Sequence, residues 1–148
     1  MNEELIKWLK HTSDAFEPPM CPLHRFILEC GKDYIPAKRP KGMRKQEDKM
    51  CFRNASNLVI GNPKLEYVEG FAIGARIGWP THHAWCVDEA DHVVDVTWLD
   101  PELCQYRGVV IPKKRLIRLL VEQEYYGVLD NGISINMDLI EELRKIAA

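Results

Sequence analysis

No stretch of this 148-residue chain approaches the ~18–20 consecutive apolar residues that a membrane-spanning helix requires. Neither sign of charge dominates. Twenty Lys and Arg against twenty-two Asp and Glu leave a formal charge of −2. That lacks the basic excess of a nucleic-acid binder and the bias of an acidic disordered chain. Nucleic acid and membrane are therefore not expected partners. The five cysteines are odd in number and irregular in spacing, which excludes a simple disulfide framework and reads as reduced thiols. No CxxC or HxxxH pair answers Cys21, His24 and Cys30, so neither zinc nor any other metal is expected. "GFAIGARIG" spaces its glycines every fourth residue but opens no helix, which excludes a dinucleotide fingerprint, and no cofactor is expected. The first residues, "MNEELIKWLKHTSDAFEPP", lack the basic start and apolar run of a signal peptide, and a cytoplasmic setting is expected. Internal repeats and low-complexity segments are also missing. At this length the expectation is a single domain, 1–148, with a core of its own.

Hydrophobic periodicity supplies the elements. Leu5, Trp8 and Leu9, with Ile6 beside them, form a helical stripe; "EPPM" breaks the chain, and "PLHRFILEC" reads as a second short helix. Residues 31–49 hold prolines, glycines and the basic run Lys38–Lys49. They read as a long loop, which suits an acidic ligand or is simply solvated. In "MCFRNASNLVI", Cys51, Ala55, Leu58 and Val59 fall on one helical face, with Asp48 as the expected N-cap. "LEYVEGFAIG", "HHAWCV" and "HVVDVTW" have the β-branched and aromatic content of strands, and "YRGVVIP" adds a short fourth. Two closing helices carry Leu116, Leu119, Leu120, Ile140 and Leu143, positions that serve a core or a dimer interface equally well. The order implies an α+β domain: a cysteine-bearing helix on a small antiparallel sheet, with flanking helices.

The hairpin "HHAWCVDEADHVVDVTW" is unusually rich in titratable groups. Alternation puts His83, Trp85 and Val87 on one face of the first strand, and Val93, Asp95 and Thr97 on one face of the second. His83 and Asp95 share a face only if the connection has an odd number of residues, three (88–90) or five, or carries a bulge. "DEADH" contains no Asn-Gly or Gly-Gly and therefore no demand for a two-residue turn. A carboxylate beside a histidine fixes its tautomer and stabilises the imidazolium formed when it takes a proton from a thiol. Cys51 lies in the first turn of its helix, where the dipole and free amides favour a thiolate, and its own N–H is a candidate oxyanion donor. Asn54 either lines the cleft or is a surface amide. His82 is the rival base, on the opposite face from His83.

With "CFRNASNLVI" followed by "LEYVEGFAI", then "HAW" and "VVDVTW", residues 48–111 resemble transglutaminase-like domains of the papain-like group of cysteine enzymes. The overall pattern is similar to that of small bacterial and bacteriophage proteins. The resemblance implies a papain-like/transglutaminase-like core, with Cys51 as nucleophile, His83 as general base then acid, and Asp95 as the orienting acid. Gln46, upstream of Cys51, becomes a candidate oxyanion donor by the same resemblance. Two departures stand out: "DKMC" replaces the Gly-x-Cys of these nucleophiles, and "DVT" the common Asp-Pro-Thr.

The expected function is amide or acyl transfer through a covalent acyl-enzyme on a peptide, protein or other amide-bearing substrate. Peptidase, isopeptidase, deamidase and transglutaminase chemistry all remain open. The alternative is a binding or regulatory protein that keeps the fold with an idle triad. Trp85 is expected to shield His83 and hold it over the cysteine helix, with Trp79 and Pro80 as a cleft wall. Glu69 and Tyr67 either contact substrate or finish the sheet surface. The reading requires the Cys51 sulfur and a His83 ring nitrogen to meet on one side of the sheet.

Overall fold

The computed structural model describes residues 2–15 and 21–147; the break expected at 17–20 lies outside them. In chain order the elements are α1 (Glu3–Ala15), α2 (Pro22–Cys30), β1 (Lys32–Asp33), α3 (Cys51–Ile60), β2 (Glu66–Ile73), β3 (Pro80–Val87), β4 (Val93–Val94), β5 (Gln105–Ile111), α4 (Lys113–Gln123) and α5 (Met137–Ala147). The five strands form one curled antiparallel sheet in the order β1-β5-β2-β3-β4, so the fold is α+β. None of the described helices is long and apolar enough to cross a membrane.

The curl comes from two glycines. Gly70 of β2 pairs with Gly108 of β5 on one side and His83 of β3 on the other. A Cβ on Gly70 would strike the Arg107 carbonyl oxygen and stand 2.5 Å from Gly108 Cα. One on Gly108 would stand 2.7 Å from the Glu69 carbonyl oxygen and 3.0 Å from the Trp85 ring. Only hydrogen fits at either position, and the space left on this face is filled by Trp85.

Each face of the sheet has its own core. Tyr67, Phe71, Ala84 and Cys86 face α-helical side chains such as Leu9, Phe26, Ala55, Val59, Leu116 and Leu139. Val68, Ala72, Trp85, Val93 and Tyr106 face the opposite way, beneath Tyr34 and Cys104. Leu116, Leu119, Ile140 and Leu143 are buried as expected, and Leu120 packs at the margin.

The hairpin differs from its expected form in two ways. The odd-length connection is there, but it comprises residues 89–91, closed by the Asp88 N–H donating to the His92 carbonyl at 3.0 Å. Asp91 takes a left-handed φ of 63°, the role that glycine fills in many three-residue hairpin loops. This register pairs Cys86 with Val94, so Asp95 falls opposite Trp85 and diagonal to His83. Second, the strand expected over "HVVDVTW" stops at Val94. Asp95 Oδ1 accepts the backbone N–H groups of Thr97 at 2.9 Å and Trp98 at 3.2 Å, which turns the chain off the ladder. The edge of β3 from Pro80 to Trp85 is thereby left without a strand partner. The long loop after β1 runs beside this segment, tied by the Gln46 N–H to the Val96 carbonyl at 2.6 Å.

Candidate active site

Cys51 opens α3, and it is Met50, not Asp48, that occupies the N-cap. No side chain caps the helix; Asp48 instead pairs with Lys45 at 2.5 Å. Lys49 turns the chain into the helix with a φ of 64°, a left-handed conformation costing a non-glycine residue roughly 1–2 kcal/mol. As the first helical residue, Cys51 has a backbone N–H with no acceptor inside the helix. Its side chain is 8% exposed.

His83 and Asp95 are each 1% exposed and joined by a 2.8 Å bond between His83 Nε2 and Asp95 Oδ2. The Tyr106 hydroxyl donates to the same oxygen at 2.8 Å. With Thr97 and Trp98 on Oδ1, the carboxylate is surrounded by four donors, which explains how a buried charge is sustained there. Burial pushes the Asp95 carboxyl upward, but the His83 charge and these hydrogen bonds prevail and hold it below its ordinary value. Burial likewise pulls His83 down. The Asp95 charge and hydrogen bond, joined by contributions from Cys51, outweigh it and raise the imidazole to about 9. Trp98 lies flat on the His83 ring, centroids 3.8 Å apart and planes 12° from parallel. A π-face in that position favours the imidazolium.

The Cys51 thiol lies near enough to His83 to help raise the imidazole. Because Asp95 occupies Nε2, the ring nitrogen left for the sulfur is Nδ1. The expected common face needs correction. The body of α3 packs with the Ala84 and Cys86 side of β3, and the Cys86 thiol lies 3.3 Å from the Ala55 carbonyl. His83 projects from the other side. Between these two sides the edge of β3 from Pro80 to Trp85 is left uncovered by β4.

The remaining candidates separate. Gln46 is exposed, and its side-chain amide bonds the Arg44 carbonyl at 3.3 Å. Asn54 is a buried bridge, donating to the Glu47 carbonyl at 2.9 Å and to Thr97 Oγ1 at 3.0 Å. It ties α3 to the Asp95 turn. Trp85 shares the face of His83 but is 5.9 Å away, so the shield over the imidazole is Trp98. Trp79 is 66% exposed. A hollow of about 200 Å³ lies beside Trp98, between Asp48 and the turn at Gly74–Ile77. His82 faces the helices, its ring between Phe52 and Phe71 and its Nε2 3.6 Å from Glu69 Oε2. Glu69 does not finish a surface. It is fully buried, takes the Tyr67 hydroxyl at 2.6 Å, and accepts the N–H groups of Val128, Leu129 and Asp130. His24 stacks on Phe71 at 4.6 Å.

Tyr106, Thr97 and Trp98 were missed by sequence reasoning. Tyr106 sits in the strand expected from "YRGVVIP", on the same face as His83 once β5 pairs with β2. Only that pairing, which joins segments far apart in sequence, brings its hydroxyl to Asp95. In comparisons with known proteins, no family model, no curated protein and no solved structure matches this chain.

Proposed function

We propose that this chain is a cysteine-dependent amide or acyl-transfer enzyme built on a papain-like/transglutaminase-like core. Cys51 is its nucleophile, His83 its acid and base, Asp95 the orienting carboxylate and Tyr106 a positioning residue behind it. The observation that carries the reading is the buried bond between His83 and a carboxylate that four donors keep ionised, with Cys51 near enough to help raise the imidazole. An imidazolium against a thiol is the counter-ion that a thiolate nucleophile needs.

In the proposed reaction the Cys51 sulfur attacks the substrate carbonyl carbon, forming a C–S bond and a tetrahedral oxyanion. The free Cys51 N–H at the start of α3 stabilises that charge. Collapse breaks the C–N bond, and the departing amine takes the proton from His83 Nδ1. His83, now neutral, removes a proton from water or an acceptor amine, which attacks the thioester and expels the thiolate as the imidazolium reforms. Peptidase, isopeptidase, deamidase and transglutaminase chemistry differ only in which amine leaves and which nucleophile enters. The left-handed Lys49 supports the resemblance: it stands two residues before the nucleophile, where the Gly-x-Cys pattern has glycine. Five unpaired cysteines fit a reducing, cytoplasmic setting.

A second reading, a binding or regulatory protein with an idle triad, is favoured by the closure of the site under Trp98. Alkylation separates the two. Cys21 and Cys30 are the more accessible thiols and would react first if accessibility alone governed. The enzyme reading expects iodoacetamide at pH 6 to label Cys51 ahead of all four others, and His83→Ala to slow that labelling at least tenfold. Labelling that follows accessibility, with Cys21 and Cys30 ahead of Cys51, would leave the idle-triad reading standing.

A further inference from the structure

On the outer flank of α3, next to the candidate active site, lies a cavity of about 670 Å³, within the ~300–1,000 Å³ of small-ligand sites. One wall is the loop carrying Arg44 and Gln46; the other is the helix face of Arg53, Asn54 and Asn57, continuing to Asn62. Two guanidinium groups and four amides line it, and no carboxylate does. Arg53 is paired with Glu47 at 2.9 Å, whereas Arg44 makes no ion pair among the described residues. Asn57 is exposed, and its side chain makes no hydrogen bond among the described residues.

Positive charge is concentrated along the stretch that supplies this wall, Arg44 and Arg53 being its members that line the cavity. Residues 38–53 hold seven Lys and Arg against two acids, in a chain whose overall formal charge is −2. The cavity is also wired to the triad. Asn54, in its wall, bonds Thr97 Oγ1, and Thr97 donates its N–H to Asp95.

We propose that this cavity binds an acidic peptide segment, with Arg44 taking a carboxylate and the amides of Asn57 and Asn62 taking the peptide backbone. Guanidinium suits a planar carboxylate, and side-chain amides both donate to and accept from a main chain. A single strand of nucleic acid would require exposed aromatic platforms for base stacking, and the lining has none. The proposal rests on the acyl-transfer reading only for the fate of the bound segment, which would place a neighbouring amide near Cys51.

The test uses the full chain carrying Cys51→Ala, so that binding is read without catalysis. Fluorescence anisotropy is followed with fluorescein-labelled hexaglutamate amide, hexalysine amide, a Gly-Ser hexapeptide and a six-nucleotide oligothymidine. Saturable binding of hexaglutamate alone is expected, weakening with salt. Arg44→Glu should reduce it at least tenfold. Asn57→Asp, an exposed helix position that adds a carboxylate to the wall, should do likewise. Lys145→Glu, an equal charge change on α5, should leave it within twofold. Failure of hexaglutamate to bind, indifference to Arg44→Glu and Asn57→Asp, or equal binding of oligothymidine would overturn the proposal. None of these results bears on alkylation of Cys51, so the two readings fail separately.

Discussion

Replacing Asp95 by Asn tests the electrostatic design of the site most directly. The side chain keeps its shape and its Oδ1 can still accept from Thr97 and Trp98, but the charge facing His83 is gone. In the native chain His83 rises from the ordinary 6.5 to about 9 against the opposing effect of burial. At about 1.4 kcal/mol per pKa unit that is about 3 kcal/mol of stability. Since the folded value is the higher one, this contribution is complete below pH 6.5 and is lost as pH rises through about 9. Without Asp95 only the smaller contributions of Cys51 oppose burial, His83 falls well below its native value, and most of the loss over that window disappears. Urea unfolding from pH 6 to pH 10 should therefore show the native chain losing about 3 kcal/mol relative to Asp95→Asn. Tyrosines, lysines and the other cysteines titrate in both proteins and cancel in the difference. A proton NMR titration gives the site-specific check, with the His83 resonance assigned by its absence in His83→Gln. Parallel stability curves, or a His83 titration unmoved by Asp95→Asn, would refute the reasoning.

Tyr106→Phe removes one of two donors to Asp95 Oδ2 and leaves more of the carboxylate's charge for His83. The His83 titration should move upward, at a stability cost of about 1–3 kcal/mol for the weakened buried network, whereas a purely structural tyrosine would leave the titration where it is. Glu69→Gln places an NH₂ among donors that need acceptors. It should cost about 3–5 kcal/mol, and hydrogen exchange should quicken most at Val128, Leu129 and Asp130; uniform quickening across the sheet would count against the anchor role.

The helices and the three long strands were legible because each rests on local periodicity, whereas the common face of His83 and Asp95 was legible only as a condition on the length of the connection. Cys51, Ala55 and Val59 had to share a face once the segment was helical. His83 and Asp95 had to share one once the connection was odd. The short β1 was not legible, since Lys32 and Asp33 have no strand signature and pair only because β5 offers an edge. The truncation of β4 was hidden for a different reason: the Asp95 side chain competes with the ladder for backbone donors, and no alternation pattern records that competition. Asp48 was a reasonable cap by residue type, but its carboxylate is drawn to Lys45. The close approach of backbones at Gly70 and Gly108 was hidden too, because it depends on strands far apart in sequence.

Adjacent residues, His82 and His83, each stand beside a buried carboxylate, and the difference between the two pairs is why the proposal assigns the base to His83. Glu69 is already saturated by the Tyr67 hydroxyl and three consecutive backbone amides. Its charge is committed to fixing the segment before α5, and His82 approaches it only to 3.6 Å, with its ring held between phenylalanines. Asp95 also has a full set of donors, but one of them is the imidazole itself, at 2.8 Å. That bond orients the ring and fixes Nε2 as the nitrogen engaged, which in the proposed reaction leaves Nδ1 for the thiol. A one-residue slip of β3 would exchange the two faces, carrying His83 to the side of Glu69 and away from the face on which Asp95 lies. The alternation of a single strand thus separates an anchoring carboxylate from an activating one. The odd-length connection at 89–91 is what keeps Asp95 on the side where it can activate His83.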